Sequence, residues 1–295
     1  MMDDQQQLVD IQQQPVGTPV NNGFPVTIIS GVKIINRIGS GGQGAVFLAS
    51  PVEAGLVPHG MFAVKISALD ALGSSLRECR VHRDVSGHPN ISAYFGQRVC
   101  GDFLLLLTEL LRGGDLRSVC ERYTSGLPEA TVAKIGMQVA SALAHMHARG
   151  VAHCDVKPDN VLVCEAFSSA GENVVKLVDF GLATEFCVDE NEEASVPVHG
   201  GTPDYLPVEA LGGRPVDPRK VDSFCLGVML CEMLTGKHPF ADFGGNVDDD
   251  VVDQRFAAAS RGMQMVLGWL MESEPAKRPS AAEAVRFLRE LVPEE

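Results

Sequence analysis

The spacing of apolar positions shifts as this chain proceeds, and each spacing predicts a different kind of element. From Val32 to Leu107 the apolar residues come in short β-prone runs, at 45–49, 62–66 and 103–107, which predict strands. A single helix is predicted between Leu69 and Val85. Farther on, Val132, Ile135, Val139, Ala142, Leu143 and Met146 recur three and four residues apart, the stripe of an amphipathic helix over 129–149. Pro128 and Glu129 stand at its start, where a proline and an acid suit a helix N-terminus. Residues 222–235 are apolar nearly all round, which predicts a helix buried in a large body. Two more helices follow, the last carrying Ala281, Ala284, Val285, Leu288 and Leu291. The pattern predicts an α+β protein, with a small β-rich part followed by a large mainly helical one. Residues 1–30 hold much Gln, Asn and Pro with little apolar content, and are expected to be a disordered lead-in. There are no internal repeats.

Composition narrows the class of partner. Hydrophobic residues make up 45% of the 295, ample for a sizeable core. The longest apolar strand, at 103–111, is far too short to span a bilayer. A net charge of −14 argues against nucleic acid or an anionic membrane as partner, since both select basic patches. The eight cysteines are scattered with no C-x-x-C pair, so they are expected to be reduced and mostly buried. Neither a signal peptide nor a lipidation signal is read, since Met1-Met2-Asp3-Asp4 lacks the glycine that acylation needs, and a cytoplasmic or nuclear setting is expected.

Against that background several short stretches carry chemistry. Gly39-Ser40-Gly41-Gly42-Gln43-Gly44-Ala45-Val46 is a glycine loop; residues without Cβ let backbone amides approach phosphate oxygens. The same spacing occurs in dinucleotide sites, but those need a helix directly afterwards. Here residues 45–49 are β-prone, so the loop is expected to be a hairpin. In Phe62-Ala63-Val64-Lys65-Ile66 a cation sits in an apolar strand, which is costly without an anionic partner. Glu78 on the following helix can be that partner, or an ordinary exposed residue between Arg77 and Arg80. The strand at 103–111 runs into Arg112-Gly113-Gly114-Asp115-Leu116, where Asp115 suits a helix N-cap as well as a ligand role. Last come His153-Cys154-Asp155-Val156-Lys157-Pro158-Asp159-Asn160 and Asp179-Phe180-Gly181.

In this order the stretches resemble the eukaryotic-type protein kinase family over roughly residues 31–292. The resemblance implies a two-lobed fold, with an N-lobe over about 31–109, a C-lobe over about 112–292, and ATP held between them. It implies nucleotide contacts from Ile38, Gly39, Ser40, Gly41, Gly42, Gln43, Gly44, Val46, Ala63, Lys65, Glu78, Thr108, Glu109, Leu111 and Asp115. Thr108 would be the gatekeeper, and residues 109–111 the hinge beside the adenine. Asp155 would orient the substrate hydroxyl, Lys157 would neutralise the transferring phosphoryl group, and Asn160 with Asp179 would hold Mg²⁺. Lys157-Pro158 and Gly201-Thr202-Pro203-Asp204-Tyr205 resemble the serine/threonine branch, with Thr202 bracing Asp155 and Lys157. Glu209 would pair with Arg278, and Asp222 would hold the catalytic-loop backbone. The implied partners are protein substrates with Ser or Thr acceptors, in a basic context if Asp115 and Asp159 bind an arginine ahead of the acceptor.

Five departures stand out. Cys154 replaces the arginine that normally binds an activation-segment phosphate, which predicts a segment ordered without phosphorylation. Only Thr184 and Ser195 carry hydroxyls between Gly181 and Gly201, and Asp189-Glu190-Asn191-Glu192-Glu193 reads as a solvated acidic loop or as a source of permanent negative charge. Val208 interrupts the usual A-P-E, and Phe224 stands where Trp is common. Insertions are expected at 51–60 and around Ser168-Ser169-Ala170-Gly171. Two other readings share the pattern: a nucleotide-binding scaffold without activity, which typically lacks one of Lys65, Asp155 or Asp179, and a small-molecule kinase, against which Gly201 to Glu209 resembles a peptide-docking segment.

Overall fold

The computed structural model describes residues 28–41, 44–52, 55, 57, 60–69, 73–169, 172–187, 194–240 and 258–292. The lead-in up to residue 27 and the acidic run at 189–193 lie outside them. The chain divides into two compact units, one of the described residues up to Gly87 with Ser92–Leu111, the other of His88–Ile91 with the described residues from Arg112 onward.

The first unit is a six-stranded antiparallel sheet in the order β1-β2-β3-β4-β6-β5, with one helix. Its strands are β1 (Ile28–Ile29), β2 (Val32–Gly41), β3 (Gly44–Pro51), β4 (Phe62–Ala68), β5 (Tyr94–Cys100) and β6 (Phe103–Thr108). The period-two alternation decides which face each side chain joins. Phe103, Leu105 and Leu107 pack with Ile34, Phe47, Phe62, Val64 and Ile66, while Leu104 and Leu106 face Cys79 of helix α1 (Ser74–Val85). β1 begins inside the expected lead-in because Ile29 is fully buried in that core.

The second unit is mainly helical: α2 (Leu116–Arg122), α3 (Glu129–His147), α4 (Pro218–Thr235), α5 (Arg261–Leu270) and α6 (Ala281–Arg289). All six residues of the stripe predicted on α3 are buried. Helix α4 starts earlier than the apolar run suggests, because Asp217 caps it through Arg219 N at 2.9 Å and Pro218 occupies its first turn. Ser280 and Glu283 form a capping box on α6. Among the described residues no helix is long and apolar enough to cross a membrane.

Short strand pairs carry the loops of this unit: β7 (Val151–Ala152) with β10 (Thr184–Glu185), β8 (Val161–Val163) with β9 (Val175–Leu177), and β11 (Val196–Pro197) with β12 (Pro215–Val216). The β8–β9 hairpin holds the insertion expected near Ser168, whose tip residues 170–171 lie outside the described ones. Thr131 of α3 donates to Ser169 O at 2.9 Å, and Gln138 to Asn173 O at 2.8 Å.

Candidate active site

In the first unit the glycine motif is the turn of a hairpin. Gly41 pairs with Gly44, and β3 follows at once, where a dinucleotide site would place a helix. Gly42 and Gln43 lie outside the described residues, and so do the positions of the backbone amides they would offer. Gly44 has a second reason to be glycine: a Cβ there would stand 2.4 Å from the Ile66 carbonyl oxygen on β4. Gly39 pairs with Val46, Ile38 is exposed, and Ala63 lies beside Thr108 in the β4–β6 register.

Lys65 sits on β4 with its Nζ 2.7 Å from Glu78 Oε1 on α1, in an ion pair whose side chains are 12% and 4% exposed. An acid so deep in a helix face requires a cation, so Glu78 is a partner rather than a solvated residue. Beside it, burial and the Glu78 charge push the Cys79 thiol up to about 12. Thr108 ends β6, and Glu109 turns back on its own unit: its N–H donates to Ala93 O at 3.0 Å and its Oε2 accepts from Ala93 N at 3.1 Å. Leu111 has no hydrogen bond to its backbone among the described residues.

In the second unit Asp155 is gripped on both oxygens. Oδ1 accepts from the Thr202 amide at 2.9 Å and the Thr202 hydroxyl at 2.7 Å. Oδ2 accepts from Asn160 Nδ2 at 2.8 Å and lies 2.9 Å from Lys157 Nζ. Lys157 also donates to Thr202 Oγ1 at 2.6 Å, closing the triangle. Gly201 sits at φ +133°, and a Cβ there would stand 2.8 Å from the Cys154 carbonyl oxygen, so the turn that presents Thr202 needs glycine.

Below this cluster Asp222, fully buried on α4, accepts from the amides of His153 at 2.8 Å and Cys154 at 2.7 Å. It also meets His147 Nε2 at 2.8 Å, a residue that local sequence did not single out. His153 Nδ1 accepts from Asp155 N at 3.2 Å and its Nε2 faces Val178 O at 3.0 Å, which fixes the Nε2–H tautomer. Cys154 is fully buried at φ +61°.

Two oxygens here suit a hard divalent cation. Asn160 directs its amide nitrogen to Asp155 twice, at 2.8 Å to the carbonyl and 2.8 Å to the carboxylate, which leaves its Oδ1 as the group that can take a metal. Val178 N donates to Asn160 O at 3.0 Å, so Asp179 follows directly on the strand end tied to Asn160. Asp179 is exposed at φ +61°, and Phe180 behind it is buried edge-on to His153. No group of three or more His, Cys, Asp or Glu among the described residues is arranged to hold a metal ion. A pair of protein oxygens is what Mg²⁺ uses when phosphates and water complete its shell.

Asp115 caps α2, its Oδ1 accepting from Ser118 N at 2.7 Å. Asp159, exposed in the turn after Lys157, is met by Arg117 at 3.3 Å. Arg117 in turn reaches Glu232 and the Tyr205 hydroxyl, a set that sequence spacing did not bring together. Glu209 and Arg278 are paired as expected, with Nη1 2.5 Å from Oε1. Phe224 takes the Arg278 guanidinium over its ring at 4.8 Å and stacks on Phe240.

The activation segment is held by backbone pairing and burial. β10 pairs with β7, β11 with β12, and Phe186 is buried with the Arg219 guanidinium 5.4 Å above its ring. Thr184 is buried in β10, so Ser195 is the exposed hydroxyl of the stretch.

The protein kinase domain family matches residues 32–287 of the chain. Similar proteins include the serine/threonine-protein kinase PKZ1 of Phytophthora infestans, 33% identical over 244 residues, which are 76% of this chain and 58% of that protein. The serine/threonine-protein kinase PkaB of Streptomyces coelicolor is 33% identical over 270 residues, 87% of this chain and 62% of its own. The CBL-interacting serine/threonine-protein kinase 7 of Arabidopsis thaliana is 32% identical over 235 residues, 76% of this chain and 52% of its own. The chain thus spans between about half and three fifths of the length of these relatives.

Proposed function

The chain belongs to the protein kinase domain family, and from that premise we propose that it transfers the γ-phosphoryl group of ATP to Ser or Thr hydroxyls of protein substrates, with Mg²⁺. The observation that carries this reading is the Asp155–Thr202–Lys157 triangle with Asn160 beside it. Phosphoryl transfer asks a protein chiefly for position and charge rather than covalent chemistry. Asp155, locked on both oxygens, accepts a hydrogen bond from the acceptor hydroxyl and aims it. Lys157, bound to Asp155 and Thr202, presents positive charge where the transferring group becomes most negative. Asn160 Oδ1 and Asp179 would hold Mg²⁺, which would supply positive charge against that of the phosphates. Lys65, steadied by Glu78, reaches the α- and β-phosphates, and the glycine hairpin supplies backbone amides to them.

The serine/threonine branch rests on Lys157 and Thr202 acting together, and on the similarity to serine/threonine-protein kinases. Activity without activation-segment phosphorylation is part of the same proposal. Cys154 offers no guanidinium for a phosphate, and strand pairing with Phe186 burial already orders the described parts of the segment. A basic substrate context, with Asp115 and Asp159 near the acceptor, is part of the same proposal; Asp115 also caps α2 and Asp159 also meets Arg117.

The test is transfer of label from γ-labelled ATP with Mg²⁺ to a mixed protein substrate, comparing the wild type with Asp155→Asn. Label incorporated on Ser and Thr by the wild type and lost in the variant is expected. Equal label in both would sink the reading.

A further inference from the structure

Helix α5 turns one side inward and leaves the other bare. Met263, Val266, Leu267 and Leu270 are buried. Arg261, Met265, Gly268 and Trp269 are exposed, at positions that share one face of a helix. On that face Met265 is 46% exposed and Trp269 is 41% exposed, although Trp269 also leans on the Phe287 ring of α6 at 5.0 Å. Two large apolar side chains one turn apart make a patch rather than scattered exposure.

The two glycines of α5 separate what the chain itself requires from what it does not. At Gly262 a Cβ would stand 2.6 Å from Leu291 Cδ2, so packing within the chain explains that glycine. At Gly268 a Cβ would meet nothing within 4 Å. Glycine is among the poorest helix formers, and nothing among the described residues calls for it here. It leaves a notch of bare backbone beside Met265 and Trp269, where another chain can approach closely.

Charge is arranged at the two ends of the same helix. Arg261 opens α5, where the positive end of the helix dipole disfavours a cation. It makes no hydrogen bond or ion pair among the described residues. Glu272 stands half-buried just past the other end. Its Oε1 accepts from Glu274 N at 3.2 Å and from Ser273 Oγ at 3.0 Å, bonds that hold the carboxyl below its ordinary range and keep it charged.

The face is complementary to itself. Two copies of α5 can lie antiparallel about a twofold axis, with Met265 of each over Gly268 of the other. The same register sets Arg261 of each opposite Glu272 of the other, because both pairs are centred on the same point of the sequence. We propose that this face of α5 is an interface for a second copy of the chain, Met265 filling the Gly268 notch and Arg261 pairing with Glu272 across the twofold axis. The patch is far smaller than the roughly 20–30 residues a side of a stable interface, so the dimer is weak and reversible, with Kd on the order of 10–100 μM. The contact is independent of the kinase reading above.

The experiment is sedimentation velocity on the full chain from about 1 to 200 μM, a range that brackets such a Kd. Trp269 is the only tryptophan of the chain, so its fluorescence is a second readout of the same face. The wild type is expected to pass from monomer to dimer over this range, with Trp269 emission moving to the blue in step. Gly268→Glu places its side chain in open space of the monomer and is expected to keep the circular dichroism spectrum while weakening association at least about tenfold. Arg261→Glu and Glu272→Arg, each alone, set like charges face to face twice and are expected to weaken it as much. An equimolar mixture of those two variants restores both charge pairs and is expected to associate as tightly as the wild type. A wild type that stays monomeric with constant Trp269 emission overturns the proposal and leaves the face to a different partner. A dimer that survives Gly268→Glu, or a mixture no tighter than its parts, overturns it too. Should Glu272→Arg fail to fold, the Gly268→Glu result decides.

Discussion

Arg278 places Nη1 2.5 Å from Glu209 Oε1 and Nη2 3.3 Å from Glu209 Oε2, a two-pronged pair that closes the activation segment onto the last helices. The Arg278 side chain is 1% exposed, against 21% for Glu209, so the arginine bears the desolvation. It keeps bonds to the Glu272 and Ser273 carbonyls when the acid is removed, which softens the loss but leaves its charge unpaired. Glu209→Ala is expected to cost about 3–5 kcal/mol of unfolding free energy, measured by urea denaturation. Val208→Ala next door, at a side chain 80% exposed, should stay within about 0.5 kcal/mol. Equal effects would mean that the pair does not bear the load assigned to it.

Thr202 is where position and charge meet, because its hydroxyl donates to Asp155 and accepts from Lys157. Thr202→Val removes that hydroxyl and keeps the backbone N–H that also holds Asp155. A small misplacement of the acceptor-orienting group costs about 10²-fold, and the loss should fall on kcat with KM for the peptide little changed. Thr202→Ser should recover most of it. A kcat within a few-fold of wild type in Thr202→Val would remove the threonine from the catalytic account.

How much of this was legible in the chain follows from how local each cause is. The apolar β-prone run at 103–107, the helix stripe at 132–146 and the hairpin character of the glycine loop are set by neighbours a few residues away, and each appears as read. The α+β class follows from them. Helix α4 begins ahead of its apolar run because its start depends on the Asp217 cap and not on apolar spacing. His147 and Arg117 carry no local signal for a different reason: their partners lie 75 and 115 positions away, at Asp222 and Glu232, and no short-range pattern marks either end. At Asp115 local chemistry offered both a cap and a ligand, and in the fold its Oδ1 serves as the cap.

The activation segment yields a prediction by subtraction. With Thr184 buried on β10, Ser195 is the exposed hydroxyl between Gly181 and Gly201 among the described residues. Residues 188–193 contribute none by sequence. If order in the segment comes from strand pairing and Phe186, then Ser195→Ala and phosphatase-treated wild type should both keep full kcat/KM. A loss of tenfold or more in either would tie activity to a phosphate and contradict the reading of Cys154.

The eight cysteines make the burial pattern directly measurable. Burial and Glu78 push the Cys79 thiol up to about 12, and burial does the same at Cys120. At pH 8 a thiol of that kind is ionised to only about one part in ten thousand, and the thiolate is the reacting species. Cys187 is exposed. Iodoacetamide on the native protein at pH 8 should therefore modify Cys187 first and leave Cys79 and Cys120 unlabelled, as read by peptide mass spectrometry. Raising the pH to 9 increases their thiolate about tenfold but leaves both thiols largely protonated, so protection should persist until the protein unfolds. Labelling of Cys79 at a rate near that of Cys187 would mean that the helix carrying Glu78 opens readily in the native state, and the Lys65–Glu78 pair with it.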